Sequence, residues 1–348
     1  MIREELVEEE KWISPERFNR VLAVYQVLPG PEAHELCVYF GMSARGRLGG
    51  LLAGLGFMLP GFILMFALSW AYVTLGAASS VFLAAFYGCK PAVVALITRA
   101  VHRIGSHALN DHWLWLIAIT AGVANFLGAN FLFILPLAGL LYALIKFRTP
   151  TSVAPLSAVL PLLFINQTAA AIAPSLPVLF GYGLRSGLLT FGGAYTVISF
   201  LQHDAVITGA WMSNAQFLDG LALSGILPAP LIIFSTFVGY LGGGPLGALA
   251  LTVGVFLPAF AFTLIGHEYV ERLVENKPAH AFLDGVTAAV VGLITVTALG
   301  LFRDAITDAP RAIIFTLALI AIYLWKAKAA VVGIMFGASA LGWLLLRV

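Results

Sequence analysis

The sequence predicts an all-α polytopic membrane protein made of two homologous, inverted repeats whose helices are broken by prolines. Three observations support this prediction: the composition, the length of the apolar runs, and a set of residues that recurs later in the chain. Of the 348 residues, 60% are hydrophobic and 10% are charged. A soluble domain carries about 25% charged residues, so we expect lipid to surround much of this chain.

The apolar runs have the length of membrane helices. Most approach the roughly 20 residues that cross a bilayer, although several are shorter and the number of spans stays open. Because backbone groups in lipid must pair within the segment, a spanning run is expected to be helical. The runs are continuously apolar, which argues against the alternating pattern of a β-barrel. They cover residues 48–75, 81–96, 113–128, 131–145, 176–201, 246–265, 282–301, 313–325 and 329–346.

A duplication is visible residue by residue. Seven residues of the first half, Trp12, Phe18, Leu22, Ala23, Leu28, Pro29 and Pro31, recur 199 positions later as Trp211, Phe217, Leu221, Ala222, Leu227, Pro228 and Pro230. Later blocks recur at spacings of 198, as in Pro60 and Pro258, and of 197, as in Gly88 and Gly285. An apolar chain repeated in this way, with a proline-broken segment at the same place in each half, is typical of a secondary transporter.

The repeats predict the organisation of the chain. Residues 1–148 form the first repeat, 149–174 a linker or an extra span, and 175–348 the second repeat. The second repeat opens with an apolar helix over residues 176–200, whereas Met1 aligns with Phe200. The first copy of that helix is therefore expected to be missing, through a truncated reading frame or as a genuine short variant.

Basic residues predict the orientation of the two halves. With Arg45 and Arg47 in the cytoplasm, the positive-inside rule favours inverted repeats, provided that residues 149–174 do not cross the membrane. If they do cross, the second half turns over and the charge bias reverses.

The two proline pairs are the strongest candidates for a binding site. Leu28-Pro29-Gly30-Pro31 and Leu227-Pro228-Ala229-Pro230 each split an apolar stretch. Two prolines within three residues end a helix, and the second proline can begin the next one. Each break would then aim free N–H groups and a positive dipole end at a cavity, which is an anion site without a charged side chain. The alternative is a structural kink.

Other residues could assist such a site. Thr190, Gly192 and Gly193 form a small-residue surface that either packs helices or unwinds to expose amides. Gln26 and Ser224 precede the two breaks and could donate hydrogen bonds to an oxygen of the substrate. Lys90 lies deep in an apolar run, where a lysine indicates function unless it snorkels to the interface.

A polar pair, His34 and Glu35, follows the first break and predicts either a proton-linked pair or a solvated turn. The sequence contains no phosphate loop, zinc-protease motif or nucleophile elbow, so we expect no enzyme, cofactor, metal or nucleic-acid partner. Cys37 and Cys89 lie in apolar surroundings and predict no disulfide framework. The sequence leaves open whether the chain forms a homo-oligomer.

These motifs together resemble the chromate ion transporter family. The first copy supplies Trp12, residues 28–31 and Leu59-Pro60; the second supplies Phe191-Gly192-Gly193, Trp211, residues 227–230 and Leu257-Pro258. Two features depart from the family pattern: the first Phe-Gly-Gly is missing, and the second break reads Pro-Ala-Pro.

The resemblance implies that the substrate is chromate, a tetrahedral oxyanion. It implies export through the inner, plasma membrane, driven by the membrane potential or a proton gradient, which gives chromate resistance. The alternatives are a sulfate or other small-anion permease and a passive anion channel. A membrane enzyme or assembly factor is the weakest alternative.

Overall fold

The computed structural model describes residues 2–25, 30–75, 80–147, 174–191, 193–266, 276–325 and 330–345. These residues form helices and connecting loops, with no strand among them. The helices are α1 (Pro15–Tyr25), α2 (Glu32–Leu75), α3 (Ser80–Ala108), α4 (His112–Phe126), α5 (Phe131–Phe147), α6 (Leu176–Leu188), α7 (Val197–Gln202), α8 (Asn214–Ile226), α9 (Ser235–Leu264), α10 (Lys277–Ala305), α11 (Ala309–Leu324) and α12 (Ala330–Leu345). The predicted linker, residues 149–174, lies almost entirely outside the described residues.

Four of the described helical segments are long and apolar enough to cross a membrane. They are Glu32–Leu75, Leu83–Ala108, Leu231–Leu264 and Lys277–Ala305. Four shorter apolar helices accompany them, namely α4, α5, α11 and α12. The all-α membrane fold is thereby confirmed, and most helices fall on the apolar runs of the sequence.

The helix expected over residues 176–200 is not continuous. It ends at Leu188, and a short 3-10 turn, Ala194–Thr196, precedes α7. Gly193 has a φ of +116°, which is incompatible with a right-handed helix. The segment around Thr190 is therefore unwound. Of the two predictions for this stretch, helix packing and local unwinding, the backbone agrees with the second.

Helices α2 and α9 are each folded into a hairpin by a glycine turn. In α2 the turn is at Arg45 and Gly46, and Gly46 has φ 63° and ψ −160°. In α9 it is at Gly243 and Gly244, and Gly244 has φ 61° and ψ −153°. Gly46 and Gly244 are 198 positions apart, so this turn belongs to the repeated unit.

Small residues let the two arms of each hairpin approach closely. A Cβ added at Gly41 would lie 2.5 Å from the carbonyl oxygen of Gly49 and 2.5 Å from the Cβ of Ala53. The same close approach joins Gly239 to Gly247 in α9. Backbone contact through small residues is the usual way in which helices pack within lipid. Each repeat thus contains a short arm after its break and a long arm, residues 47–75 in α2 and 245–264 in α9.

Candidate functional site

The first break brings together two segments that the sequence analysis had singled out separately. The backbone N–H of Gly30 donates a 2.8 Å hydrogen bond to the carbonyl of Thr190. The carbonyl of Pro31 then accepts from the N–H groups of His34 at 2.8 Å and Glu35 at 3.1 Å. Helix α2 therefore begins at the break, next to the unwound segment of the second repeat. Gln26, Pro29 and Gly192 lie outside the described residues.

The second break shares one backbone hydrogen bond with the first, although it leads into a 3-10 turn, Leu231–Phe234, before helix α9 begins. Helix α8 ends at Ile226, and the carbonyl of Pro230 accepts from the N–H of Ile233 at 3.0 Å. This is the counterpart, 199 positions on, of the bond from His34 to Pro31. The predicted donor Ser224 is buried, and its hydroxyl donates to the carbonyl of Leu231 at 3.1 Å. The Ser224 hydroxyl thus forms a hydrogen bond within the protein, across the second break.

Each break is seated on the long arm of the other repeat. The His34 ring, in the first repeat, packs edge-on against Phe256 and Phe260 of α9, with centroid distances of 5.0 and 4.6 Å. Ala229, in the second repeat, lies against α2, because a Cβ added at Gly61 would be 2.8 Å from the Ala229 Cβ.

The two breaks also meet neighbouring turns of one helix. His34 contacts Phe57 of α2 at a centroid distance of 6.0 Å, and Ala229 contacts Gly61 of the same helix. Residues four apart in a helix are separated by about 6 Å along its axis. Gly61 is the central residue of the arm 47–75 (61 − 47 = 14 and 75 − 61 = 14). The two interruptions are therefore close to each other and near the middle of a membrane-length helix.

His34 and Glu35 are fully buried, which excludes the solvated turn considered from the sequence. Neither carboxyl oxygen of Glu35 has a hydrogen-bond partner in the described part of the chain. The Glu35 carboxyl lies against the break, since a Cβ added at Gly30 would be 2.5 Å from Oε1. The ring nitrogens of His34 lack partners of normal geometry among the same residues, and the backbone of Gly54 meets the ring only in a weaker arrangement.

Lys90 has a partner that the sequence analysis did not identify. Its Nζ lies 2.8 Å from Oδ1 of Asp219, and the hydroxyl of Tyr72 donates to Oδ2 of the same carboxylate at 2.8 Å. Asp219 is on α8 of the second repeat, whereas Lys90 and Tyr72 are on α3 and α2 of the first. An acidic residue within an apolar helix is itself a signal of function, so Asp219 could have been predicted on the same ground as Lys90.

Two arginines on α3 lie near the first break. Both Arg99 and Arg103 interact electrostatically with Tyr195, which follows the unwound segment. Arg103 also interacts with Glu32, the first residue of α2. These arginines were not among the predicted site residues, although they share helix α3 with Lys90.

A second polar region lies away from the breaks. Arg185 and Asp204 form a buried ion pair, and the guanidinium stacks on Phe131 at 5.3 Å from the ring centroid. Phe131 also lines a cavity of about 300 Å³, together with Asn125, Phe126, Gly128, Ala129, Ser199, Gln202, His203, Ile207, Leu293, Val296, Thr297, Leu299, Gly300 and Arg303.

Two repeats, broken helices at membrane depth and reciprocal seating define a membrane transport protein. Comparison with known proteins then identifies its family. A family model described as "Chromate transporter" matches residues 1–144 and 178–343. The chain belongs to the chromate transporter family.

Individual relatives agree with this assignment. The chain is 54% identical to a chromate transport protein of Pseudomonas aeruginosa, over 99% of this chain and 86% of the relative. It is 30% identical to a chromate transport protein of Cupriavidus metallidurans, over 97% of this chain and 85% of the relative. A shorter match, to an uncharacterized transporter of Bacillus subtilis, has 29% identity over 39% of this chain and 68% of that protein. No solved structure matches the chain.

Proposed function

We propose that this protein is a secondary active transporter that exports chromate from the cytoplasm through the inner membrane and so confers chromate resistance. The observation that carries the proposal is the position of the two breaks on neighbouring turns of α2, at Phe57 and Gly61. Breaks that converge at the middle of a bundle of repeats form the substrate sites of many secondary transporters.

Helix starts supply the groups that an oxyanion needs. The N–H groups of Glu32 and Ala33 come before the first intrahelical bonds of α2, as do those of Leu231 and Ile232 after the second break. Such groups and the positive end of the helix dipole favour a bound anion. Gly30, Pro31, Pro228, Ala229 and Pro230 would shape this site, with Thr190 and Gly193 beside it. Gln26, Pro29 and Gly192 lie outside the described residues, and their part in the site stays a prediction from the sequence.

Two arginines, and not Lys90, supply the positive charge that supports binding of a dianion. Lys90 is paired with Asp219, so its charge is largely compensated within the protein. Arg99 and Arg103 add positive charge near the first break and would attract an anion to it. An interior-negative potential then expels each negative charge with about 2.3 kcal/mol per 100 mV.

Labelled chromate offered to everted membrane vesicles with an imposed potential tests the proposal. We expect saturable uptake that requires the potential and is lost in the variants Pro31→Ala and Pro230→Ala, with both variants still inserted in the membrane. Uptake that neither saturates nor exceeds the imposed gradient would indicate a channel. Full transport by both variants would contradict a site formed by the breaks.

Sulfate serves as the second substrate in the same assay, because it has the same charge and tetrahedral shape. Competition by excess sulfate would make the protein a general oxyanion transporter. Uptake of sulfate without any uptake of chromate would overturn the assignment of the substrate.

A further inference from the structure

We propose that Glu35 is the proton site of this transporter and that it binds the oxyanion as the neutral acid and rejects it as the carboxylate. The inference rests on the proposed site at the breaks. The group is fully buried, without a partner in the described residues, and in contact with the first break at Gly30.

The surroundings of Glu35 contain no compensating cation within ion-pair distance in the described part of the chain. On its own helix it is accompanied by Glu32, whose charge acts unfavourably on it, and by His34. The long arms contribute the phenyl rings of Phe57, Phe256 and Phe260, which enclose His34. The unwound segment contributes the Thr190 carbonyl, which is already bonded to Gly30.

The two arginines near this break interact with residues other than Glu35. Arg103 interacts with Glu32 and with Tyr195, and Arg99 interacts with Tyr195. An ionised carboxylate without a partner is costly to bury, and such a group takes up a proton instead. The enclosed state described here is therefore the state of the neutral acid.

The second repeat shows that the fold does not require these polar groups. The residues that correspond to His34 and Glu35, 199 positions later, are Ile233 and Phe234, and both are fully buried. The N–H of His34 and the N–H of Ile233 nevertheless make equivalent bonds, to the carbonyls of Pro31 and Pro230. A buried acid at one break only, where apolar residues pack equally well, points to a chemical role and not to a structural one.

The position of the carboxyl group explains how proton and anion would be linked. Glu35 is in the first turn of α2, and its side chain turns back to Gly30, where the free N–H groups of the helix start would meet an oxyanion. The neutral acid can donate its O–H to an oxyanion, whereas the carboxylate repels a dianion in the same place. When the break opens to water without an anion, the acid loses its proton to the solvent. Binding of the anion therefore requires uptake of one proton.

The linkage is measured by binding of labelled chromate to the purified full chain in detergent, across the alkaline range in which chromate is a fully ionised dianion. We expect the affinity of the wild type to fall about tenfold per pH unit, because each bound anion requires one proton. Glu35→Gln retains a neutral donor, so its affinity should be independent of pH and exceed that of the wild type at high pH. Glu16→Gln, on the exposed surface of α1, is the matched control and should behave as the wild type.

Direct measurement of protons makes the test independent of folding of the variant. At alkaline pH, where the open and anion-free protein has lost the proton of Glu35, addition of chromate to the weakly buffered wild type should remove about one proton per bound anion from solution. Absence of proton uptake, or the same pH dependence in Glu35→Gln as in the wild type, would overturn the role of Glu35 and leave chromate transport intact. Binding of sulfate alone, with proton uptake that depends on Glu35, would retain the proton site and refute chromate as the substrate. No binding of either anion would refute both.

Discussion

The ammonium group of Lys90 lies 2.8 Å from the carboxylate of Asp219 and so joins the first repeat to the second. The carboxylate is 6% exposed and the lysine side chain 22% exposed, so the pair is largely shielded from water. Removal of one member of a buried ion pair costs about 3–5 kcal/mol, because the other charge remains without a partner.

A charge exchange decides whether this pair is a structural link or part of the substrate site. We expect Lys90→Ala and Asp219→Ala each to lower the thermal stability in detergent and the rate of chromate uptake. The exchanged variant Lys90→Asp with Asp219→Lys should recover both if the pair is a link. Recovery of stability without recovery of uptake would instead assign Lys90 to the substrate.

The glycine at the first break is predicted to be required for its backbone conformation and for the position of the Glu35 carboxyl group. In Gly30→Ala the new methyl group would lie 2.5 Å from Oε1 of Glu35, and the φ of +155° would add backbone strain. We expect this variant to lose most chromate uptake while still reaching the membrane. Gly56→Ala is the matched control, because a Cβ at Gly56 meets nothing within 4 Å. Alanine there should raise stability by about 0.5–1 kcal/mol, and equal uptake by the two variants would contradict the packing at Gly30.

The glycine turns of the two hairpins are predicted to be equally sensitive to substitution. At Gly46 and Gly244 a Cβ would have open space around it, so only the positive φ and the extended ψ oppose a side chain. A residue other than glycine held in such a conformation costs about 1–3 kcal/mol. Both Gly46→Ala and Gly244→Ala should therefore lower the melting temperature by a similar amount. A loss in only one of them would show that the two turns are not equivalent.

The N-cap of α4 gives a prediction for the effect of pH. Burial raises the pKa of the Asp111 carboxyl, but this is outweighed by the positive charge of His112 and by hydrogen bonds from the Tyr142 hydroxyl and the N–H groups of Leu114 and Trp113. The net pKa is lower than the ordinary 3.8. The ionised form thus stabilises the folded state above the ordinary pKa, and this stabilisation is lost as the pH falls through the lowered value.

The variant Asp111→Asn separates the charge from the cap, because asparagine caps a helix about as well as aspartate. We expect it to be less stable than the wild type near neutral pH and equally stable in strong acid, as measured by thermal unfolding in detergent. A difference that persists unchanged into strong acid would mean that the carboxylate charge contributes nothing.

The repeated elements could be predicted from the sequence because each depends on a pattern of residues that are close together in the chain. Apolar runs located most of the helices, and the paired prolines located both breaks. The prediction of a continuous helix over 176–200 was wrong, because it gave the apolar character of the run more weight than its glycines. The backbone at Gly193 adopts a positive φ, which does not fit a right-handed helix. The turns of the two hairpins lie just before the apolar runs that begin at residues 48 and 246, so the sequence predicted where each long arm starts. The close packing of each long arm on its short arm depends on contacts that the apolar runs do not show.

The side-chain partners at the site depend on contacts between distant residues and were beyond the reach of the sequence. Lys90 was selected for its depth, yet Asp219 is 129 positions away (219 − 90 = 129). Ser224 has the chemistry of a ligand donor, but the structure uses its hydroxyl to hold Leu231. Glu35 is the opposite case: the sequence left open a proton-linked pair and a solvated turn, and the side chain is enclosed at the break.

The reciprocal seating of the breaks sets an order for assembly during synthesis. When the first repeat leaves the ribosome, the helix that covers His34 does not yet exist, because Phe256 and Phe260 are more than 200 positions downstream (256 − 34 = 222). The start of α2 must therefore wait, with uncovered polar groups that lipid cannot satisfy, until α9 has been inserted. The second break meets α2 as soon as it is made. The first repeat can therefore reach its final structure only after the second repeat has been synthesised.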